Sequence, residues 1–164
     1  MTPALSFPPE LLLAAQGVRV AFFDIDGVFT DGGLFLTDQG ETTKRFNILD
    51  GLGIKLLQRG GIVPVVITGR DAAPLRKRLA SLGVTHVHYG TEDKAPAAER
   101  TLAELGFTWA QAAAIGDDWP DLPVLGRAAG SKHPLRQPEE GQPFTYAWFT
   151  QLYRRHCCSG FSCH

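Results

Sequence analysis

The body of this 164-residue chain contains no cysteine, because all three cysteines lie among the last eight residues, as Cys157, Cys158 and Cys163. Disulfides therefore cannot staple the body of the fold. Together with His156 and His164 these cysteines could form a metal-ligand cluster. Adjacent cysteines, however, lack the two-residue spacing of structural zinc sites. We therefore favour a loose tail over a metal site at this end of the chain.

The chain also lacks a long hydrophobic run and an excess of charge of one sign. Its longest apolar run covers residues 11–15, whereas a membrane-spanning helix needs about 20 apolar residues. The N-terminal segment has Glu10 and no early Lys or Arg, which is not the pattern of a signal peptide. Sixteen basic and 17 acidic residues nearly cancel, with no Lys/Arg-rich block. These absences predict a cytoplasmic protein that binds neither nucleic acid nor a membrane surface.

What the sequence does contain is a regular alternation of strand and helix patterns. Apolar stretches typical of strands covered on both faces occur at residues 18–23, 62–67, 84–89 and 112–115. A short opening helix is predicted at residues 7–17, and longer helices at residues 50–60, 71–82 and 94–105. In the helix at 50–60 we expect Leu52, Leu56 and Leu57 to form the apolar face. Residues 34–37 and 42–46 flank a turn-forming segment and predict a β-hairpin after the first strand.

This alternation predicts an α/β fold with a Rossmann-like parallel sheet flanked by helices and joined by right-handed crossovers. The length suits one domain, which we place at residues 1–130. Residues 131–164 form an atypical C-terminal tail that contains Pro134, Pro138 and Pro143 and lacks a convincing strand and helix.

Polar side chains follow the predicted strands where their carboxyl ends should meet. They are Asp24 and Asp26, then Thr68, Gly69 and Arg70, then Lys94, and finally Asp117, Asp118 and Asp121. Sheets of this kind bind ligands in the crevice at the carboxyl ends of their strands. Helix capping or a turn would explain any one of these groups alone. Their occurrence at successive strand ends favours one catalytic site.

These residues resemble the motifs of the haloacid-dehalogenase (HAD) superfamily. Residues 23–28, which include Asp24 and Asp26, match the first motif, and residues 68–70 match the second. Lys94 fits the third motif and residues 116–121 fit the fourth. The resemblance extends from about residue 17 to residue 129. It implies a HAD-like fold and a magnesium-dependent phosphatase.

The resemblance also implies a role for each catalytic residue. Asp24 is the nucleophile that forms an aspartyl-phosphate, dividing one difficult hydrolysis into two easier steps. Asp26 acts as general acid on the leaving oxygen and then as base on the attacking water. Thr68 donates hydrogen bonds to the transferred phosphoryl group. Lys94, held by Asp121, neutralises the charge shared between Asp24 and the phosphate.

A Mg²⁺ ion is implied at the same place. Its expected ligands are the side chains of Asp24 and Asp117 and the backbone carbonyl of Asp26, since this hard cation prefers oxygen. Asp118 either assists Asp117 or caps the following turn.

The spacing of the motifs leaves no room for a cap domain, since residues 26–68 hold a hairpin and one helix, and residues 94–116 a helix and a strand. Capless members of the superfamily that act on sugar-acid phosphates are similar at residues 24–32, 40–41 and 46–55. They imply a homotetramer whose hairpins cover neighbouring active sites. An ordinary surface ribbon is the alternative.

A sugar-acid phosphate carries two anionic groups, so its site needs cations at two places. The resemblance implies that the substrate-binding residues are Asp26, Asn47, Ile48, Leu49, Asp50, Gly51, Lys55, Gly69, Arg70, Arg78 and Lys94. For Lys55 and Arg78 a solvated helix face is the alternative. Leu49 stands where the resemblance leads us to expect a basic residue.

The tail departs from the superfamily pattern, which has a further strand and a glycine-rich segment leading into a helix. We interpret it as an altered end, for example from a shifted reading frame, and expect disorder and weakened turnover. Other functions remain open: a phosphatase for a nine-carbon, sialic-acid-like sugar-acid phosphate, or a catalytically weak oligomerisation domain. A sugar phosphomutase is disfavoured, because an open site admits water.

Overall fold

The structure, a computed structural model, describes residue 13 and residues 15–129. The predicted tail at 131–164 and most of the predicted opening helix lie outside the described residues. The last part of that helix, Ala15–Gly17, forms a 3-10 turn. Among the described residues, no helix is both long and apolar enough to cross a membrane.

The predicted parallel sheet is confirmed, with a separate two-stranded ribbon beside it. The strands in chain order are β1 (Val20–Phe23), β2 (Phe35–Thr37), β3 (Gly40–Thr43), β4 (Val63–Ile67), β5 (His86–His88) and β6 (Ala112–Ile115). The four-stranded sheet has the order β5-β4-β1-β6, and all of its pairs are parallel. β2 and β3 pair antiparallel and form the predicted hairpin. β1 therefore lies at the centre, between β4 and β6.

The predicted helices α1 (Ile48–Arg59), α2 (Ala73–Leu82) and α3 (Lys94–Leu105) connect these strands in the expected order. A short helix that was not predicted, α4 (Leu122–Leu125), follows β6. α2 and α3 end at Gly83 and Gly106, both in the left-handed conformation that glycine adopts without steric cost. Asn47 caps the N-terminus of α1, and its side-chain oxygen accepts a hydrogen bond from the backbone N–H of Leu49.

The two faces of the sheet bury separate apolar clusters. Ala21 and Phe23 of β1 belong to the cluster that includes the buried residues of α1 and α2. Val20 and Phe22 belong to the cluster that includes buried residues of α3 and α4. Alternate residues of one strand thus support opposite layers, as expected for a sheet covered on both faces.

The expected apolar face of α1 was wrong in one respect. Leu57 is buried, but Leu52 is 44% exposed, and Ile54 is buried instead. The reason is a close approach at Gly51, where an added methyl group would meet the guanidinium of Arg78 and would lie 3.1 Å from the side chain of Leu82. Glycine at this position lets α2 approach α1 directly. The buried face of α1 therefore centres on Gly51 and Ile54, and Leu52 points outward.

Candidate active site

Asp24 lies directly after β1, at the carboxyl edge of the sheet. Its backbone N–H donates to the carbonyl oxygen of Ile115 (3.0 Å), which continues the pairing of β1 with β6. Its side chain is 8% exposed, and Oδ1 lies 2.8 Å from Nζ of Lys94, the first residue of α3. Nζ of Lys94 also lies 2.7 Å from Oδ1 of Asp121. The structure therefore brings Asp24, Lys94 and Asp121 together, as the resemblance implied.

In this triad, burial and ion pairing shift the pKa values of Asp24 and Lys94 in opposite directions. Burial raises the pKa of Asp24, while the hydrogen bond and the charge of Lys94 act against that rise. Burial alone would lower the pKa of Lys94, but its hydrogen bonds to Asp121 and Asp24 outweigh that effect and raise it. Lys94 therefore stays protonated, and it can hold a negative charge at Asp24 in a site with little water.

Asp121 also organises the loop after β6. Its Oδ2 accepts hydrogen bonds from the backbone N–H groups of Asp117 and Asp118, each at 3.2 Å. Asp118 accepts from the backbone N–H of Trp119 (2.6 Å) and caps the 3-10 turn Trp119–Asp121, which is one of the two roles considered for it. At Gly116, an added methyl group would overlap the carboxylate of Asp121. Glycine there allows the loop to fold closely around Asp121.

Three carboxylates converge where a metal ion was expected. Asp24, Asp117 and Asp121 each present an oxygen within 4.8 Å of the others. Asp121 is already engaged by Lys94 and by two backbone N–H groups, which leaves Asp24 and Asp117 as the better ligands. Burial, followed by the charges of Asp24, Asp121 and Asp118, raises the pKa of Asp117 to about 6. Because a divalent cation would relieve this repulsion and hard oxygen donors suit Mg²⁺, the residues fit that ion.

The loop after β1 also approaches Asp117 closely. Gly27 has a φ of 85°, and an added methyl group would overlap the Asp117 carboxylate. The backbone that follows Asp26 therefore lies against Asp117, the neighbourhood in which the Asp26 carbonyl was expected to act as a ligand.

Thr68 and Arg70 follow β4, the neighbour of β1. Thr68 is buried, and its hydroxyl oxygen accepts a hydrogen bond from the backbone N–H of Arg70 (3.3 Å). Gly69 lies between them, with an added methyl group there 3.7 Å from the side chain of Glu92. Arg70 turns toward the first motif, where its Nε lies 3.5 Å from Oδ2 of Asp26.

Sequence reasoning missed a second cation beside Asp26. Nζ of Lys44 pairs with Oδ1 of Asp26 and lies 3.0 Å from Oε1 of Glu41. Lys44 follows β3 in a polar segment whose charges resemble those of any surface ribbon. Gly40 and Glu41 had been matched to the superfamily pattern, but neither Glu41 nor Lys44 was predicted as a site residue. Their role becomes visible only when the ribbon is placed against the loop after β1.

The residues expected on the sugar side form a second group around the start of α1. Arg78 donates to the carbonyl oxygen of Asn47 (3.3 Å) and lies over the ring of Phe46. Burial raises the pKa of Asp50, while the charge of Arg78 acts against that rise. A cavity between this group and the loop after β1 is lined in part by Ile25, Asp50 and Arg78.

Three other residues expected on the sugar side are exposed. Ile48 and Leu49 are exposed at the start of α1. Lys55 is also exposed, and its Nζ would lie 3.4 Å from a methyl group added at Gly83, at the end of α2. The structure does not bring Lys55 to Asp24.

Comparisons with known proteins give a consistent set of relatives, although no family model matches the chain. The 3-deoxy-D-manno-octulosonate 8-phosphate phosphatase of Yersinia pestis is 38% identical over 135 residues, which cover 79% of this chain and 72% of the relative. The protein of the same name from Escherichia coli K12 is 34% identical over 134 residues, which cover 79% and 71%.

Solved structures agree with these sequence matches. The crystal structure of the Yersinia pestis phosphatase has a TM-score of 0.71 and 38% identity, covering 77% of this chain and 71% of that one. The phosphatase from Moraxella catarrhalis, in complex with a magnesium ion, a phosphate ion and KDO, has a TM-score of 0.71 and 34% identity, covering 75% and 71%.

Proposed function

Because the chain belongs to the family of 3-deoxy-D-manno-octulosonate (KDO) 8-phosphate phosphatases, hydrolases of the HAD superfamily, we propose that it hydrolyses KDO 8-phosphate to KDO and phosphate. The observation that carries the proposal is the contact of Lys94 with both Asp24 and Asp121 at the carboxyl edge of the sheet. A buried carboxylate with a fixed cation beside it suits attack on a phosphate monoester.

In the first step a carboxylate oxygen of Asp24 forms a bond to phosphorus while the bond from phosphorus to the sugar oxygen breaks. Asp26 donates a proton to that leaving oxygen, so that an alcohol departs rather than an alkoxide. Asp26, now ionised, then takes a proton from the water that attacks the aspartyl-phosphate. Phosphate leaves and Asp24 is regenerated. Lys94 and the Thr68 hydroxyl hold the phosphoryl oxygens through both steps.

The residues that would hold Mg²⁺ are Asp24 and Asp117, through their side chains, and Asp26, through its backbone carbonyl. When bound, the ion supplies positive charge that lets an anionic carboxylate approach an anionic phosphate. Burial and the repulsion of the neighbouring carboxylates, which together raise the pKa of Asp117 to about 6, support this assignment.

For the sugar acid, we propose that Arg70 and the group around Asn47, Asp50 and Arg78 form the side of the site that receives the carboxylate. Arg70 is half-exposed and can turn from Asp26 to an incoming anion. An exposed leucine at position 49, where a basic residue was expected, keeps a nine-carbon sugar-acid phosphate as the second candidate substrate.

The quaternary structure and location are also part of the proposal. We expect a capless enzyme that assembles as a homotetramer, because Leu34, Phe35 and Leu36 are exposed on or beside the ribbon. Contact with a neighbouring subunit would bury these side chains and would place the ribbon over the active site of that neighbour. We place the enzyme in the cytoplasm, since a phosphorylated sugar acid does not cross a lipid bilayer unaided.

The test is phosphate release from KDO 8-phosphate, with and without Mg²⁺, beside a nine-carbon sugar-acid phosphate and simple hexose phosphates. Fast, metal-dependent release from KDO 8-phosphate alone supports the assignment. Preference for another compound of the panel would support a phosphatase but contradict KDO 8-phosphate as its substrate. Release from none of them contradicts a catalytic function and favours the oligomerisation domain.

A further inference from the structure

Lys44 is a buried cation that the proposed mechanism does not yet use. It directly follows β3, at the base of the ribbon, and its side chain is fully inaccessible to solvent. Its ammonium pairs with Asp26 and lies 3.0 Å from Oε1 of Glu41, whose side chain is also largely buried. Burying a lysine is costly unless its charge is paired. The next residue, Arg45, is mostly exposed and pairs only loosely, at 3.3 Å, with the exposed Asp31.

The two carboxylate oxygens of Asp26 have different surroundings. Oδ1 contacts the Lys44 ammonium and lies 3.4 Å from the hydroxyl of Thr30, which can donate to it. Oδ2 lies 3.5 Å from Nε of Arg70, a half-exposed side chain beyond ordinary hydrogen-bond length. Oδ1 is therefore held by buried or local groups, whereas Oδ2 faces a group that can move away.

We propose that Lys44 is the positioning residue of Asp26: it anchors Oδ1, so that Oδ2 is the oxygen that exchanges a proton with the leaving group and with water. This inference rests on the proposed function, in which Asp26 is the general acid and base. Glu41 adds a second negative charge beside the ammonium, with Oε1 3.0 Å from Nζ of Lys44. The ribbon thereby contributes to catalysis within its own subunit, apart from any covering role toward a neighbour.

The test replaces Lys44 by methionine, which keeps a similar shape without the charge, and compares two substrates. KDO 8-phosphate has an alkoxide leaving group that needs a proton, whereas p-nitrophenyl phosphate releases a stable phenolate that does not. The quantity compared is kcat/KM, since it reports the steps through the first chemical event. General acid catalysis contributes about 100-fold to 10,000-fold, so a misplaced acid should lower kcat/KM for KDO 8-phosphate by at least about 10-fold. For p-nitrophenyl phosphate we expect a loss below about threefold.

Further variants separate a loss of positioning from general damage to the protein. Arg45→Met, the matched control on the neighbouring exposed residue, should leave both substrates unaffected. In an Asp26→Asn background, Lys44→Met should lower kcat/KM for KDO 8-phosphate by less than about a further twofold, because the effects of residues that act as a unit are not additive. Lys44→Arg should restore part of the activity toward KDO 8-phosphate. If Lys44→Met does not fold, the charge-matched pair Glu41→Gln and Lys44→Met replaces it in the same comparison.

Equal losses on the two substrates, or an undiminished loss in the Asp26→Asn background, would overturn the role of Lys44 while leaving the phosphatase in place. If the wild type prefers another sugar phosphate, that compound takes the place of KDO 8-phosphate, and only the substrate assignment fails. A wild type inactive on every phosphate would refute the proposed function and this inference together.

Discussion

Asp121 holds Lys94 with one carboxylate oxygen, at 2.7 Å, and with the other accepts the backbone N–H groups of Asp117 and Asp118. One side chain thus ties the first residue of α3 to the loop after β6. The cation beside Asp24 and the carboxylate expected to hold the metal are therefore positioned by the same residue.

We predict that Asp121→Ala destabilises the protein by about 3 kcal/mol, since the buried Lys94 ammonium loses one of its two partners and the backbone N–H groups of Asp117 and Asp118 lose their acceptor. Activity should fall as well, because Lys94 and the loop lose their common anchor. Urea unfolding and phosphate release measure the two effects. The matched control is Asp118→Ala, which removes an exposed cap and should cost only about 1 kcal/mol. Similar losses for both variants would show that Asp121 acts merely as another cap.

Asp24→Asn should abolish turnover and preserve the fold. An amide has the shape of a carboxylate but is not a nucleophile toward phosphorus, and Lys94 keeps its pairing with Asp121. Phosphate release tests the first statement, and circular dichroism with thermal melting tests the second. The control is Asp31→Asn, an exposed carboxylate in the same loop, which should remain active. Near-normal activity of Asp24→Asn would eliminate the proposed nucleophile.

Gly27→Ala should weaken Mg²⁺ binding and activity far more than Gly40→Ala. Both glycines have a positive φ, 85° and 94°, so alanine strains the backbone at either position. At Gly27 the added methyl group meets the Asp117 carboxylate, whereas at Gly40 no atom of the described residues, apart from the chain neighbours, lies within 4 Å of it. Mg²⁺ titration followed by activity separates the two variants. Equal losses would attribute the effect to backbone strain alone.

Without metal, Asp117 should destabilise the protein at neutral pH. Its carboxyl group has a pKa of about 6 in the folded chain, above its ordinary value of 3.8. The folded state therefore binds the proton more tightly than the unfolded state does. The stability that this proton contributes is lost as the pH rises from about 4 through about 6. In EDTA at pH 7, Asp117→Asn should melt at a higher temperature than the wild type, and the difference should shrink as the pH falls to 5.

Adding Mg²⁺ should reverse that order, raising the melting temperature of the wild type but hardly that of Asp117→Asn. Asp38→Asn, at the exposed turn of the ribbon, serves as the control and should follow the wild type throughout. A wild type whose melting temperature does not respond to Mg²⁺ at pH 7 would contradict the metal site.

Local signals explain why some elements were predictable to the residue. α3 and β6 have the predicted bounds, because Gly106 ends the helix and a short apolar run forms the strand. β5 is shorter than predicted. α2 begins two residues later than predicted, and Asp71, which lies outside the helix, pairs with Arg76. Boundaries that depend on side-chain pairing are not encoded in the hydrophobic pattern.

The sequence by itself determined the layered α/β fold and the meeting of Asp24, Lys94 and Asp121, because parallel strands must bring their carboxyl ends to one edge. Only the tertiary structure decided that Ile54 rather than Leu52 faces the core and that Lys44 lies against Asp26. Both depend on how closely separate elements approach, at Gly51 in one case and at the base of the ribbon in the other. Such distances between elements leave no periodic trace along the chain.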